Sequence, residues 1–348
     1  MKIAIFYPKN TLAGWGAVGG YAAALDRMGH DVIDVQFPGN QVHEPEAIMK
    51  KLPSLEVLES CDTILSMHHE YTYPWLAATY SMEKVWSKIK HKVTARFDES
   101  MDRLDLGLMR KYGEMQQWAT YFSFPAAQDA ERYGGQWLPH GVDTEMFKPH
   151  EHVTSNKDKE FDLAFIGSIY PLRGQYYNHL APCLGKVQLK MGMVMVQELN
   201  GLNGPKTMEL LADNYRKIKV FFCLPPMSRL IVAKAFEVMA CGTFLMYPKL
   251  PGITGMNNDV FIDGKHCVYY EQGYFADNAK QIVDYLFDDK KREVIAREGC
   301  EFVRENHSYE KFFDYLLAWK TTPEEKMKLR VMQMPQSIEL PPPAGVPQ

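Results

Sequence analysis

The stretch RLIVAKAFEVMACGTFLMYPKLPG, residues 229–252, sets a glutamate, Glu237, in the middle of a strongly apolar run. A buried carboxylate is costly unless a neighbour or a ligand satisfies it. Two cations lie nearby in sequence, Arg229 eight residues earlier and Lys234 one turn back. Read as a helix over 229–240, the segment puts Arg229 at its start and Glu237 about 12 Å further along the axis. That separation suits a diphosphate near the helix start and a vicinal diol beside the carboxylate, each oxygen of which can accept one hydroxyl. A salt bridge from Lys234 or Arg229 to Glu237 satisfies the same spacing.

A second stretch, FIGSIYPLRG (165–174), ends a strand at Gly167, turns through Ser168, and opens a helix at Arg173. Backbone N–H groups at a helix N-terminus together with a guanidinium make an anion site suited to phosphate. An ordinary strand-to-helix turn with a surface arginine is the alternative.

An alternation of strands and helices must position these groups. KIAIFYP (2–8) is a continuous apolar run, the pattern of a strand covered on both faces. A Gly-rich bend, a helix ending near Gly29 and the strand DVIDVQF (31–37) complete a βαβ unit. DTILSM (62–67), KVTARF (92–97), ATYFSF (119–124) and QWLP (136–139) read as further strands, with helical stretches between them. Residues 143–160 break the pattern with charge and read as a surface linker. The alternation restarts with FDLAFIG (161–167), VQLKMGMVMV (187–196), IKVFFCLP (218–225) and TFLMYP (243–248). Helices are expected around 174–183, 206–213, 229–240, 275–287 and 290–305, and over SYEKFFDYLLAWK (308–320). The expected fold is α/β: two tandem doubly wound, Rossmann-like domains, 1–142 and 161–320, facing across a cleft, with a Pro-rich extension over 321–348. Ligands bind such sheets beyond the carboxyl ends of the strands, so one cleft between two of them can hold two substrates.

The 348 residues suit two domains of roughly 150 residues each. With 46% hydrophobic and 24% charged residues the composition is that of a soluble globular protein. A net charge of −4 gives no global attraction for nucleic acid or anionic lipid. The six scattered cysteines form no C-x-x-C pair and read as reduced core thiols, which points to the cytoplasm. The start reads as a strand rather than a signal peptide, and no apolar run is long enough to span a membrane.

These residues carry a resemblance. AFEVMACGTFLMYP is similar to the E-A-M-A-C-G-x-P segment of retaining glycosyltransferases of the GT-B fold, in their group-1 and CgeB-like branch. GSIYPLRG resembles that family's G-R-L-x-x-x-K-G phosphate loop, and GVDTEMFKP (141–149) its G-V-D-x-x-x-F-x-P connection. DVFIDGKHCVYY (259–270) is similar to its E-x-V-x-D-G-x-N-G-x-L-V stretch, and GAVGGYAAALDRMGHDV to its G-G…L…G-H-E-V opening. The matches fall in family order. The resemblance implies a metal-independent hexosyl- or pentosyltransferase, without a cofactor, that moves a sugar with retention from a nucleotide-sugar, foremost a UDP-sugar, to an acceptor hydroxyl. It places Arg173 on the diphosphate and Glu237 on the ribose hydroxyls, with Gly167, Ser168 and Lys234 around the donor. The chain departs from the pattern twice. Arg229 stands where the family has a glutamate that contacts the donor sugar, and Ser168 where it has a phosphate-binding arginine.

By the same resemblance the first domain supplies the acceptor side. KVTARFDES (92–100) carries Arg96, Asp98 and Glu99 past the end of a strand. Asp98 is the leading catalytic candidate, to orient the acceptor hydroxyl or stabilise positive charge developing on the sugar; capping the following helix is its alternative role. SMHHEY (66–71) offers His68 and His69 as acceptor contacts, since adjacent histidines point poorly at one metal ion. Gly14 and Gly16 of AGWGAVGG allow close backbone approach across the cleft, without the G-x-G-x-x-G order of a dinucleotide site. His140 reads as a hinge residue with a structural role. The acceptor is a glycan, lipid or protein, or else a hydroxymethylated base in DNA, for which the basic stretch KVWSKIKHK (84–92) could supply a face. A non-catalytic nucleotide-sugar sensor and a nucleotide-sugar epimerase are the rival functions.

Overall fold

A computed structural model describes residues 1–8, 20–37, 52–101, 107–150, 159–167, 170–185, 191–194, 205–226, 230–250 and 260–319. Strands β1 (Lys2–Pro8), β2 (Asp31–Phe37), β3 (Thr63–Ser66), β4 (Val93–Arg96), β5 (Tyr121–Phe124) and β6 (Gln136–Trp137) form one sheet, ordered β2-β1-β3-β4-β5-β6. Strands β7 (Phe161–Ile166), β8 (Met191–Val194), β9 (Ile218–Phe222), β10 (Phe244–Pro248) and β11 (Val268–Tyr270) form the other, ordered β11-β10-β9-β7-β8. Every pairing in both is parallel. β11 falls inside a stretch read from the sequence only as a motif.

β1 shows why its sequence is apolar throughout. Ala4 and Phe6 enter the core on one face of the sheet, while Ile3, Ile5 and Tyr7 enter a separate core on the other. Alternate side chains of a strand point to opposite faces, so a strand covered twice needs both sets apolar. In each sheet the chain adds strands first to one side of its opening strand and then to the other. Crevices therefore open at the carboxyl ends of β1 and β3, and of β7 and β9.

Two helices differ from expectation in ways that bear on the site. Helix α1 of the crevice at β9, Ala233–Ala240, begins four residues later than the sequence suggested. Leu230 to Val232 are held out of the helix by Tyr247 of β10, whose hydroxyl accepts from the Val232 N–H and donates to the Leu230 carbonyl, both at 3.2 Å. The 12 Å rise expected between Arg229 and Glu237 along one helix therefore fails, and Arg229 itself lies outside the described residues. Helix α1 ends in a Schellman turn, with Thr243 N–H on Val238 O and Gly242 N–H on Met239 O. Gly242 takes the left-handed φ of 72° that this turn requires.

The last helix, α2 (Tyr309–Ala318), was counted by sequence with the second domain. It packs instead on the first: Tyr309, Phe312, Phe313 and Leu316 share a core with Ile3, Ile5, Tyr21 and Leu65. Where the chain leaves the first domain and where it returns, the two crossings pair. Val142 N–H donates to His307 O at 2.8 Å and Tyr309 N–H to Val142 O at 3.0 Å. Gly141 permits this closeness, because a Cβ there would meet Phe312 Cβ at 2.8 Å. The segment after the crossing is more than a surface tether. Phe147 is buried against Tyr215, and Arg216 donates to the carbonyls of Met146 and Lys148. Residues 151–158 and the extension from 320 onward lie outside the described residues.

The basic stretch 84–92 forms short helical turns that lead directly into the amino end of β4. It therefore sits at the end of the first sheet away from the cleft, and cannot supply the cleft with a basic face. Among the described residues no helix is long and apolar enough to cross a membrane.

Candidate active site

At the crevice of the second sheet, Lys234 and Arg173 flank the ring of Phe165. The Lys234 ammonium lies 4.7 Å from its centroid and the Arg173 guanidinium 4.9 Å. Arg173 is buried, stacks on Tyr170 at 4.3 Å and donates from Nε to the Pro225 carbonyl. It sits near the start of its helix, Pro171–Leu184, which opens on a proline suited to a first turn. Gly167 makes room for the cations: a Cβ there would come within 2.3 Å of Lys234 Nζ. Among the described residues Lys234 has no carboxylate within ion-pair distance. Burial and the neighbouring Arg173 charge push its pKa down to about 8. The two cations make this crevice electropositive.

Glu237, one turn on from Lys234, is buried and accepts from the Tyr215 hydroxyl at 3.2 Å. Burial raises its pKa to about 7, against the opposing pull of Lys234 and Tyr215. The salt bridge that spacing alone allowed between Lys234 and Glu237 is not formed. One hydrogen bond leaves a carboxylate with unused acceptor capacity, which polyhydroxylated ligands can fill. Ser168, Arg229 and Gly16, all expected at this site, lie outside the described residues.

Across the cleft a buried charge cluster closes over Asp98. His68 Nδ1 lies 2.6 Å from Asp98 Oδ2, with Arg96 Nε at 3.4 Å and His140 Nδ1 at 3.6 Å from Oδ1. The Asp98 backbone N–H donates to both carboxyl oxygens of Glu70, at 3.2 and 3.4 Å. Burial opposes ionisation of Asp98, but His68, His140 and Arg96 together hold its carboxyl below the usual range. Burial likewise disfavours the charged His68, yet Asp98 and Glu70 outweigh it and raise the imidazole. Glu70 is pushed up, by burial and then by Asp98. The cluster thus favours the carboxylate form of Asp98 beside His68 and Arg96, and the neutral form of Glu70 behind it, while burial lowers His140 to about 3. His68 holds its place by a left-handed backbone, φ 46° and ψ 53°, unique among described non-glycine residues and costly for an ordinary side chain.

Among the described residues the next helix begins at Leu108 with Gly107 before it, so Asp98 does not cap it. Glu99 is buried alongside, and its charge adds to the raising of Glu70. Arg96 is fully buried behind Asp98, so it acts through Asp98 rather than on a ligand. His69 stands apart from the cluster. Its Nδ1 pairs with Ser66 Oγ at 2.8 Å and its Nε2 with Met115 O at 3.1 Å, leaving neither nitrogen for an acceptor. Among the described residues no group of three His, Cys, Asp or Glu side chains is arranged to hold a metal ion.

Sequence reading gave Glu70 and Tyr21 no part and His140 only a hinge role. Tyr21 places its hydroxyl 3.4 Å from His68 Nε2, and His140 joins the halves. The His140 ring touches Asp98 on one side and Phe236, next to Glu237, on the other, with centroids 6.4 Å apart. The signal for His140 was its position just past the end of β6, where the sheet rule places cleft residues.

This arrangement has counterparts among solved structures. An α-glucosyltransferase in complex with UDP and a 13-mer DNA superposes with a TM-score of 0.67 at 13% identity, over 92% of this chain and 100% of that one. Anabaena Alr3699/HepE in complex with UDP-glucose gives 0.61 at 13% identity, over 91% and 98%. The architecture is the GT-B fold. A GT-B sucrose-phosphate synthase from Thermosynechococcus elongatus gives 0.58 at 14% identity, over 95% and 99%. Residues 209–318, the part of this GT-B chain that carries Glu237 and Lys234, match the family model described as glycosyl transferase-like. No curated protein matches the chain in sequence.

Proposed function

We propose that the protein is a glycosyltransferase that moves a sugar from a nucleotide-sugar, a UDP-sugar foremost, to an acceptor hydroxyl. The observation that carries this reading is the pair Lys234 and Arg173 beside Glu237, facing an ionised Asp98. In it, Lys234 and Arg173 neutralise the diphosphate as the bond from the sugar to it breaks. Glu237, oriented by Tyr215, accepts the ribose hydroxyls. Asp98 stabilises positive charge developing on the sugar ring and orients the incoming hydroxyl, with His68 and Arg96 keeping it ionised. Retention is the stereochemical outcome that the sequence resemblance implies. The UDP and UDP-glucose bound by structural neighbours support the choice of nucleotide, and the transferred group is a hexose or a pentose. A glycan, lipid or protein is the favoured acceptor. Modified DNA has the support of a neighbour bound to DNA, but the basic stretch 84–92 at the far end of the sheet counts against it. All six cysteines are free, in keeping with a cytoplasmic setting.

The test is a panel of UDP-, GDP-, ADP- and TDP-sugars, followed by thermal shift and by release of free nucleotide. One donor is expected to stabilise the protein and to be slowly hydrolysed, with Asp98→Asn binding that donor but no longer releasing nucleotide. Stabilisation by none of the donors would overturn the reading. Binding without hydrolysis or transfer to any acceptor would favour a sensor, and conversion of the donor to an isomer an epimerase.

A further inference from the structure

The Arg96 guanidinium is fully buried, yet hydrogen bonds fix only one of its three nitrogens. Nη1 donates to Leu138 O at 2.6 Å and to Ser123 Oγ at 3.2 Å, whereas Nε and Nη2 have no hydrogen-bond partner. Besides these bonds, Nε keeps only the looser 3.4 Å ion-pair contact with Asp98 Oδ1, so the orientation of the plane depends on what packs against its face. What faces it is an aromatic ring, that of Phe312, with Cζ 5.2 Å from the centroid. A cation over a ring face is attracted by the ring's quadrupole, most strongly where water is excluded.

Phe312 does not belong to the first sheet. It comes from α2, which returns from the second domain and is fastened there at several points. The Arg27 guanidinium bonds Glu310 at 2.6–2.8 Å, Gln136 Nε2 donates to Tyr315 O at 3.1 Å, and the Val142–Ser308 pairing fixes the start of the helix. Phe312 Cβ also sits against Gly141, beside His140. The site is therefore closed from behind by α2.

We propose that Phe312 is a positioning residue of the active site, holding the Arg96 guanidinium in the plane that sets Asp98 toward the cleft. The proposal rests on the catalytic reading of Asp98, but its physical core does not. With the ring gone, the face of the Arg96 guanidinium loses its support and its charge shifts relative to Asp98. The groups that face His68 are Asp98, Glu70 and Tyr21 along with Arg96, and of these Arg96 alone is cationic and lowers the imidazole. Any loss of its charge from the cluster raises the His68 titration.

The experiment compares Phe312→Leu, which keeps bulk and loses the ring, with Phe312→Tyr, which keeps a ring face. Two quantities are read: steady-state transfer, and the His68 titration by NMR without substrate. Phe312→Leu is expected to lower kcat about tenfold, leave KM for the donor unchanged, and shift the His68 titration upward; Phe312→Tyr restores both. An unmoved His68 titration in Phe312→Leu, with UDP still bound normally, would overturn the proposal. So would a loss confined to KM, or one that Phe312→Tyr shares. If Phe312→Leu does not fold, Arg96→Lys keeps the charge without the planar face and must show the same loss in kcat alone. Should the native protein transfer no sugar at all, the functional reading fails, while the His68 shift still decides whether Phe312 holds Arg96.

Discussion

Lys234 and Arg173 lie over one aromatic ring, Phe165, at 4.7 and 4.9 Å from its centroid. The ring's negative faces offset part of the repulsion between the two like charges that it holds. On the proposed reading a donor diphosphate sits beside the pair, and each cation contributes a charge-assisted hydrogen bond to it.

Lys234→Ala and Arg173→Ala should therefore each weaken UDP binding about tenfold or more, measured by calorimetry at fixed salt. Lys234→Ala carries a second effect, because Lys234 is the charge that most lowers Glu237. Removing it raises Glu237 further, so the loss should be steeper at pH 6.5 than at pH 8. Unchanged UDP affinity in both variants would remove the diphosphate from this crevice.

The same two groups give donor binding a narrow pH optimum. Glu237, with a pKa raised to about 7, is protonated below that pH and accepts fewer hydroxyls. Lys234, lowered to about 8, is neutral above it. Affinity for UDP-glucose, whose phosphates do not titrate in this range, should rise with pH through about 7 and fall again through about 8. Glu237→Gln should flatten the acid limb and Lys234→Arg the basic one. A flat profile for the native chain would contradict the assignment of both groups.

Glu70 couples the cluster to stability. Its carboxyl ionises in the unfolded chain near the ordinary value of 4.5 but stays protonated when folded, because burial and Asp98 raise it. The folded state then holds the extra proton, so stability falls as pH rises from about 4.5 through the raised folded value. Glu70→Gln keeps an acceptor for the Asp98 N–H and abolishes this loss. Melting curves should show the variant a few degrees above the native chain at pH 8 and close to it at pH 4. A variant less stable at pH 8 would mean that Glu70 is ionised in place.

The strands were largely legible because their apolar runs are local. β1 and β2 span the residues that the sequence suggested, since both faces of β1 are buried. The start of the Ala233 helix was not legible, because a hydroxyl on β10 decides it and that contact is remote in sequence. Nor could spacing separate His68 from His69. A left-handed turn at His68 sends one ring to Asp98 and the next to Ser66 and Met115. The last helix was assigned to the second domain by its place in sequence, but sequence order does not say which domain covers its buried face. Asp98 was found through the rule that cleft residues follow strand ends, and that rule contains no information on the histidines and the carboxyl that set its charge.

The pairing of Val142 with Ser308 has a kinematic consequence. The two passages of the chain between the halves are stitched together by hydrogen bonds of 2.8 and 3.0 Å, next to a glycine with no room for a side chain. Two bodies joined along one short line keep a rotation about it and lose the freedom to slide. A change in the gap between Lys234 and Asp98 then has to come as a turn about that line, not as a slide along it.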